Sequence, residues 1–330
     1  MKFLSFIISI IILNCCDSPL QDKINNYEKL VKPELFEIGI ISLGYHEHRM
    51  TISPDYNDIY FTISKPDFST FKIMHSKFID GKWTTPTVAP FSKSGNNIHP
   101  MYTPDGKRIY FSSNRPLDDL DNTTDLNIWY VEKIDGSNWS KPIPSSNAIN
   151  SNNHEANPSI MLNGTLFYDV IEINGSKSKN IYSSILIDGH YQKGLKLPNT
   201  INTVFTELGP FIHPKGMYLL FYSDRPGTLG KRDLYSYGNS DIYVSFSLGN
   251  NNWSEPKNLG PEINSEVLDW SPTLSPDNKY LIFSSYRNTK PIIPLDVDYG
   301  NYLSKTFGNP KTGNGSFYII KSDIINKLKQ

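Results

Sequence analysis

Five positions carry the residues best placed for chemistry. Glu47, Asn97, Glu155, Glu207 and Asp269 each stand three places before a recurrent proline, Pro100, Pro158, Pro210 or Pro272, with Met50 taking that place in the first copy. Four carboxylates and one amide at an equivalent point suggest three chemistries. Each side chain can accept backbone N–H groups and pin neighbouring segments together. Clustered carboxylates repel unless a cation, an arginine or a proton intervenes, so together they can hold a cationic ligand. Two of them can flank a glycosidic bond as acid and base or nucleophile, and Glu155 with Glu207 or Asp269 would then be the pair. Histidines crowd the same segments at His46, His48, His99 and His154.

A second set lies downstream at Lys65, Arg115, Arg225 and Arg287, where the third copy instead has Asp169 and Glu172. The basic groups are expected to pair with the first set of acids, leaving the third copy's side more acidic. Asp118, Asp119, Asp121 and Asp125 are spaced loosely enough for Ca2+, as are Asp296 and Asp298. Both groups lack the glycine and distal glutamate of an EF-hand loop. A solvated acidic loop is preferred, with Ca2+ as the alternative and no other cofactor or metal indicated. His75, His190 and His213 have no metal-ligand spacing, and neither a phosphate-cradling glycine loop nor a nucleophile elbow is present.

What positions these residues is a repeat. NNIHPMYTPDGKRIYFSSNRP, from Asn96, returns as DWSPTLSPDNKYLIFSSYRN, from Asp269. Five copies start at Ser53, Thr103, Met161, His213 and Ser275, spaced by 50, 58, 52 and 62 residues. A period near fifty with strand-rich units indicates a β-propeller. Each copy has a short first strand, a turn such as Asp105-Gly106 that tolerates positive φ, and a second strand apolar nearly throughout. Third strands are expected at Phe71–Ile79, Asn127–Lys133, Asn180–Ile187, Asp241–Leu248 and Ser316–Lys321. The fourth opens with an aromatic and a proline, as in Trp83 and Pro86, Trp139 and Pro142, and Trp253 and Pro256, with Tyr191 standing for tryptophan in the third copy.

The fifth copy lacks a fourth strand, and KPELFEIGIIS, from Lys32 to Ser42, precedes the first copy. This segment is expected to complete the last blade and close the ring. The fold expected is therefore all-β, a five-bladed β-propeller over residues 33–330, with six blades as the alternative. A composition with 13% aromatic and 20% charged residues agrees with a β-rich globular body. The net charge of −1 and the absence of a basic run speak against a nucleic-acid partner.

MKFLSFIISIIILNCC carries one lysine, an apolar run from Phe3 to Leu13 and two cysteines. The run suits a secretory signal, and its ending resembles a bacterial lipoprotein signal. That resemblance implies acylation of Cys16, which keeps Leu13 three places before it, or of Cys15; an ordinary signal peptide cut elsewhere is the alternative. Residues 17–32 read as a polar tether. No other cysteine occurs, so the body has no disulfide or cysteine metal site.

TPDGKRIYFSSNR, SPDNKYLIFSSYR and the strands opening on Trp-Ser resemble the WD40-like propeller repeats of the TolB family, from Pro33 to about Lys321. The resemblance implies an exported protein of the cell envelope, with a part in an envelope complex, although TolB's further N-terminal domain has no counterpart here. Long loops after the second strands suggest a binding rim, with Tyr235, Tyr237, Tyr299 and Tyr302 as contacts. The leading expectation is a membrane-anchored monomer, or member of a complex, that binds a protein, peptide or glycan through this face. The alternative is a carbohydrate-active hydrolase or lyase.

Overall fold

The computed structural model describes residues 27, 29–65, 67–119, 121–136, 138–173, 178–225, 240–287 and 314–329. They form five antiparallel blades around a central channel. Blade one runs through Glu47–Ile52, Asp58–Ser64 and Phe71–Ile79; blade two through Asn97–Tyr102, Arg108–Ser113 and Asn127–Asp135. Blade three has His154–Ile160, Leu166–Ile171 and Lys179–Ser184; blade four has Glu207–Ile212, Tyr218–Ser223 and Asp241–Gly249. Blade five has Asp269–Leu274, Tyr280–Ser285 and Ser316–Lys321. Its fourth strand is Glu34–Leu35, with Glu34 opposite Ile319 and Leu35 opposite Tyr318. The Phe36 amide extends the pairing to the Phe317 carbonyl at 2.9 Å.

Closure is also visible in the packing. Buried apolar residues form five clusters, one at each junction between blades. Met50, Ile59 and Phe61 of blade one pack with Ile282, Phe317 and Ile319 of blade five, so the junction that closes the ring is as apolar as the others. Burial on both faces explains why the second strands read as continuous apolar runs. Each fully buried phenylalanine, such as Phe61, Phe221 or Phe283, contributes about 1.5–3 kcal/mol.

The fourth strands differ from expectation. Trp83, Trp139 and Trp253 close two-residue hairpins, and the chain rejoins the blade beyond the proline at Thr87–Val88, Ile143–Pro144 and Lys257–Asn258. Proline donates no hydrogen bond, so the edge is split into two short pieces. In blade three the third strand stops at Ser184, and Leu186–Ile187 pairs with His190–Tyr191 as a separate hairpin. A short helix, Asp323–Lys327, follows the last strand and buries Ile324 and Ile325.

Every first strand contains a bulge. Pairing with the second strand shifts between His48 and Met50, Ile98 and Met101, Ala156 and Ser159, Leu208 and Phe211, and Trp270 and Thr273. The extra residue bends the strand and re-aims its side chains. His99, Asn157, Gly209 and Ser271 adopt positive φ there, between 50° and 62°.

Candidate functional site

The five aligned residues do not line the channel mouth as expected. Glu47, Asn97, Glu155, Glu207 and Asp269 are at most 1% exposed and turn toward the loop entering their own blade. Glu47 Oε1 accepts the amides of Leu43 and Tyr45, at 2.8 and 3.0 Å. Glu155 accepts the Ser151 amide and hydroxyl, Glu207 those of Thr203, and Asp269 those of Ser265. Asn97, an amide, donates instead to the carbonyls of Ser94 and Gly95. Of the three chemistries, the geometry shows the pinning of backbone.

The arginines complete the same device. Arg225 reaches Glu207 at 3.1 Å, Arg287 reaches Asp269 at 2.7 Å and Arg115 reaches the Asn97 oxygen at 2.5 Å. Each also donates to a serine of its own strand and to a carbonyl of the preceding loop, those of Phe91, Ile201 and Ile263. Each guanidinium lies over aromatic rings: Arg115 over Phe111 and Trp129, Arg225 over Phe221 and Tyr243, and Arg287 over Phe283 and Tyr318. Burial pushes the Arg115 guanidinium down to about 10. Blades one and three lack the arginine, and Lys65 is exposed. Burial raises the carboxyls of Glu47 and Glu155 to about 7 each.

A further repeat was missed in the sequence. Asn150, Asn202 and Asn264 each exchange two hydrogen bonds with the backbone of Ile128, Ile181 and Ile242. The signal is Ile-Asn-Ser/Thr, whose last residue stands four places before the pinning acids of blades three, four and five: Ser151 before Glu155, Thr203 before Glu207 and Ser265 before Asp269.

The residues next in line reach the mouth. A cavity of about 420 Å³ opens there, lined by His48, Ile98, Ala156, Leu208 and Trp270, one from each first strand, together with His99 and Asn157 from the bulges. Side chains alternate along a strand, so a shift of one residue changes the face. Phe68, Phe71, Trp270 and Tyr286 supply an aromatic wall; Trp270 and Tyr286 are 4.7 Å apart between ring centroids. Asp169, Lys179, Tyr222 and Asp224 supply polar groups. His48 bonds the Ser64 hydroxyl at 3.1 Å, and burial pushes its imidazole down to about 3. Burial likewise holds His99 well below the ordinary histidine value. His46 packs against Phe68 and Tyr286, while the His154 Nδ1 accepts the Leu126 amide.

Asp169 stands out on the cavity wall. Its Oδ2 accepts the Asn157 side-chain amide and the Gly209 N–H, both at 2.8 Å, while its Oδ1 is buried with no hydrogen-bond partner. Asn157 Oδ1 and His99 Nδ1 are also buried and unpartnered. Burial raises the Asp169 carboxyl to about 6 against the lowering pull of those donors and of the Arg49 charge. Gly209 is required for this arrangement: a Cβ there would sit 2.4 Å from the Tyr222 ring. Asp224 accepts the Thr206 amide at 2.8 Å.

The floor is Arg49, the bulge residue of blade one and fully buried. It crosses the axis to the opposite two blades, donating to the carbonyls of Asn157, Pro158, Gly209 and Pro210 at 3.5, 3.1, 3.1 and 2.6 Å. Burial lowers its guanidinium to about 10. Beneath it a second cavity of about 400 Å³ opens on the other face among Pro54, Pro104, Pro214 and Pro276. The upper cavity is therefore a cup and not a through-channel.

Among the described residues, no group of three or more His, Cys, Asp or Glu is placed to hold a metal ion. Asp121 of the acidic loop accepts the amides of Leu117 and Thr123. Tyr235, Tyr237, Tyr299, Tyr302, Asp296, Asp298, Cys15 and Cys16 lie outside the described residues. No helix among the described residues is long and apolar enough to cross a membrane.

No family model and no curated protein matches the chain. Among solved structures, it is similar to the catalytic domain of the GH62 α-L-arabinofuranosidase of Coprinopsis cinerea, at 10% identity over 88% of this chain and 96% of that one, with a TM-score of 0.50. The GH43 endo-arabinanase of Bacillus licheniformis is 14% identical over 86% and 96% of the two chains, with a TM-score of 0.48. TolB of Acinetobacter baumannii is 13% identical over 83% of this chain, which spans 54% of TolB, with a TM-score of 0.44. At these identities the likeness is one of fold, and the chain is a five-bladed β-propeller.

Proposed function

We propose that the cup binds a neutral carbohydrate, the end of a glycan or a short oligosaccharide, on an exported protein tethered through an acylated Cys16. The observation that carries the reading is an aromatic-lined cavity two of whose wall residues, Asp169 and Asn157, each keep a buried, unpartnered acceptor, Oδ1, just behind its surface. A buried acceptor left unpaired costs about 1–3 kcal/mol, which a ligand's hydroxyl donors would recover once a side-chain shift in the wall brings the two oxygens into the cup. Sugars combine such donors with C–H faces that pack on aromatic rings. Charge favours a neutral ligand, since Asp169 and Asp224 are balanced by Lys179 and by Arg49 below. The volume falls within the roughly 300–1,000 Å³ range of small-ligand sites. These features favour a glycan over a protein or peptide.

A second reading is hydrolysis of that glycan, and the Asp169 carboxyl favours it. Raised to about 6, it retains a proton in a fraction of molecules near neutral pH, as a general acid needs. Asp224 is the other carboxylate of the cup. Glu155, Glu207 and Asp269 are occupied with backbone and arginine donors and offer less to a substrate.

Calorimetric titration with arabinose-, xylose- and glucose-based oligosaccharides tests binding. We expect one class to bind, with affinity falling at least tenfold in Asp169→Asn and in Phe71→Ala at unchanged melting temperature. No binding across the panel, or binding indifferent to both changes, would refute the site. Release of reducing ends, lost in Asp169→Asn, separates turnover from binding. Incorporation of a fatty-acid probe, lost in Cys16→Ser, tests the anchor.

A further inference from the structure

We infer that the face opposite the cup rests on a lipid bilayer, an inference that depends on the reading of Cys16 as acylated. On that face the end of the third strand is tied to the blade's first turn in blades one, two, four and five: Phe78 N–H to the Asn57 carbonyl, Lys133 to Lys107, Ser247 to Met217 and Ser322 to Lys279. Just beyond, the hairpins of blades one to four each expose an aliphatic side chain at the same place. These are Ile79, Ile134, Ile187 and Leu248, with exposures of 52%, 67%, 48% and 67%, and blade three adds Ile185, 51% exposed. Blade five has the helix Asp323–Lys327 instead of a hairpin. There Val31, 85% exposed, precedes the closing strand, whose pairing sets it beside the lower end of Ser316–Lys321. Every blade therefore presents at least one apolar tip to the same side. Leu162 and Met217, exposed by 61% and 47%, lie inside the ring on the first turns of blades three and four.

The arrangement suits a flat, fluid partner. A protein interface is a contiguous patch with a shaped centre, whereas these are single side chains on separate hairpin tips around a circle. Aliphatic tips inserting side by side into the headgroup boundary need no complementary shape. The path of the chain selects the bilayer over a second copy. Tyr27 packs against Tyr280, the first residue of blade five's second strand, so the chain enters the propeller at this face. From Cys16 to Tyr27 is 27 − 16 = 11 residues. Fully extended, that length reaches at most about 40 Å. A lipid on Cys16 would therefore hold the ring of aliphatics close to the membrane, with the cup facing away from it.

Cys15 and Cys16 are the only cysteines in the chain, so single labels can be placed cleanly. The full chain, carrying Cys15→Ser and a fluorophore at Ile134→Cys, Leu248→Cys or Val204→Cys on the opposite face, is reconstituted into vesicles. The vesicles are phosphatidylethanolamine and phosphatidylglycerol with a nitroxide on the acyl chain. Quenching is expected to be several-fold stronger at the two lower positions than at Val204→Cys. Serine at Ile79, Ile134, Ile187 and Leu248 together, with the label moved to Met217→Cys, should remove most of that difference while the protein stays attached. Equal quenching on both faces would overturn the inference. So would unquenched lower-face cysteines that cross-link two copies, the outcome expected of a homo-oligomer interface. Fatty-acid incorporation in the same samples reads the anchor separately, so loss of acylation is distinguished from a wrong orientation.

Discussion

Replacing Arg49 by methionine removes the side chain that spans the channel from blade one to blades three and four. Its guanidinium lies within 3.5 Å of four carbonyl oxygens from two strands of the opposite wall, and all of it is buried. Hydrogen bonds from a charged donor contribute about 1.5–3 kcal/mol each, offset by the cost of keeping the guanidinium out of water. Methionine fills much of the volume but leaves the carbonyls bare, although water from the cavities above and below can reach some of them. A net loss of about 3–5 kcal/mol follows, typical of breaking a buried charged contact. At about 2–4 °C per kcal/mol for a domain of this size, the melting temperature should fall by roughly 6–20 °C. Calorimetry measures the fall. Guanidinium ion added at millimolar concentration should recover part of it in Arg49→Ala and none in the parent, because the ion fits the vacated carbonyls. A melting temperature within experimental error of the parent, or no recovery, would refute the reasoning.

Two further outcomes follow from the pinning acids. Glu47 and Glu155 are raised to about 7 when folded from 4.5, so the folded state keeps protons that the unfolded chain has lost. Their stabilising protonated forms are fully present below about pH 4.5 and are lost as pH rises through about 7, at a cost of roughly 3 kcal/mol at most for each. Urea midpoints of Glu47→Gln and Glu155→Gln should therefore fall less than the parent's between about pH 5 and pH 8, and parallel curves would count against the assignment. Removing Arg287 leaves Asp269 buried without its cation, so Arg287→Ala should cost about 3–5 kcal/mol. Adding Asp269→Asn should return part of that, since Asn97 shows an amide working in the same place; strict additivity in the double-mutant cycle would contradict the coupling.

The blades were legible because their causes are local. The runs from Arg108 and Tyr280 are apolar from packing on both faces, the turns at Asp105-Gly106 need positive φ, and the missing last strand pointed to Lys32–Ser42. The mouth was less legible. Aligning the copies found the right strands but placed Glu47 and its counterparts on the channel, because the bulge that re-aims the next two residues depends on pairing with the second strand. Arg49 occupies the place of His99, Asn157, Gly209 and Ser271, and its length sets it apart; its four acceptors lie on blades more than a hundred residues away. The sequence set both Asp169 and Glu172 against the arginines, but the register gives that place to Glu172 alone. Asp169 pairs opposite Ala156 as Ser112 pairs opposite Ile98 and Tyr222 opposite Leu208, which puts it beside the cup.

The central claim is that Asp169 and Asn157 await the hydroxyls of a sugar, and a crystal structure soaked with the oligosaccharide that binds in solution tests it most directly. The account predicts a sugar ring packed against the wall of Phe71 and Trp270, with hydroxyls within hydrogen-bond distance of Asp169 Oδ1 and Asn157 Oδ1. Density for the sugar elsewhere on the propeller, with these two oxygens untouched, would contradict it.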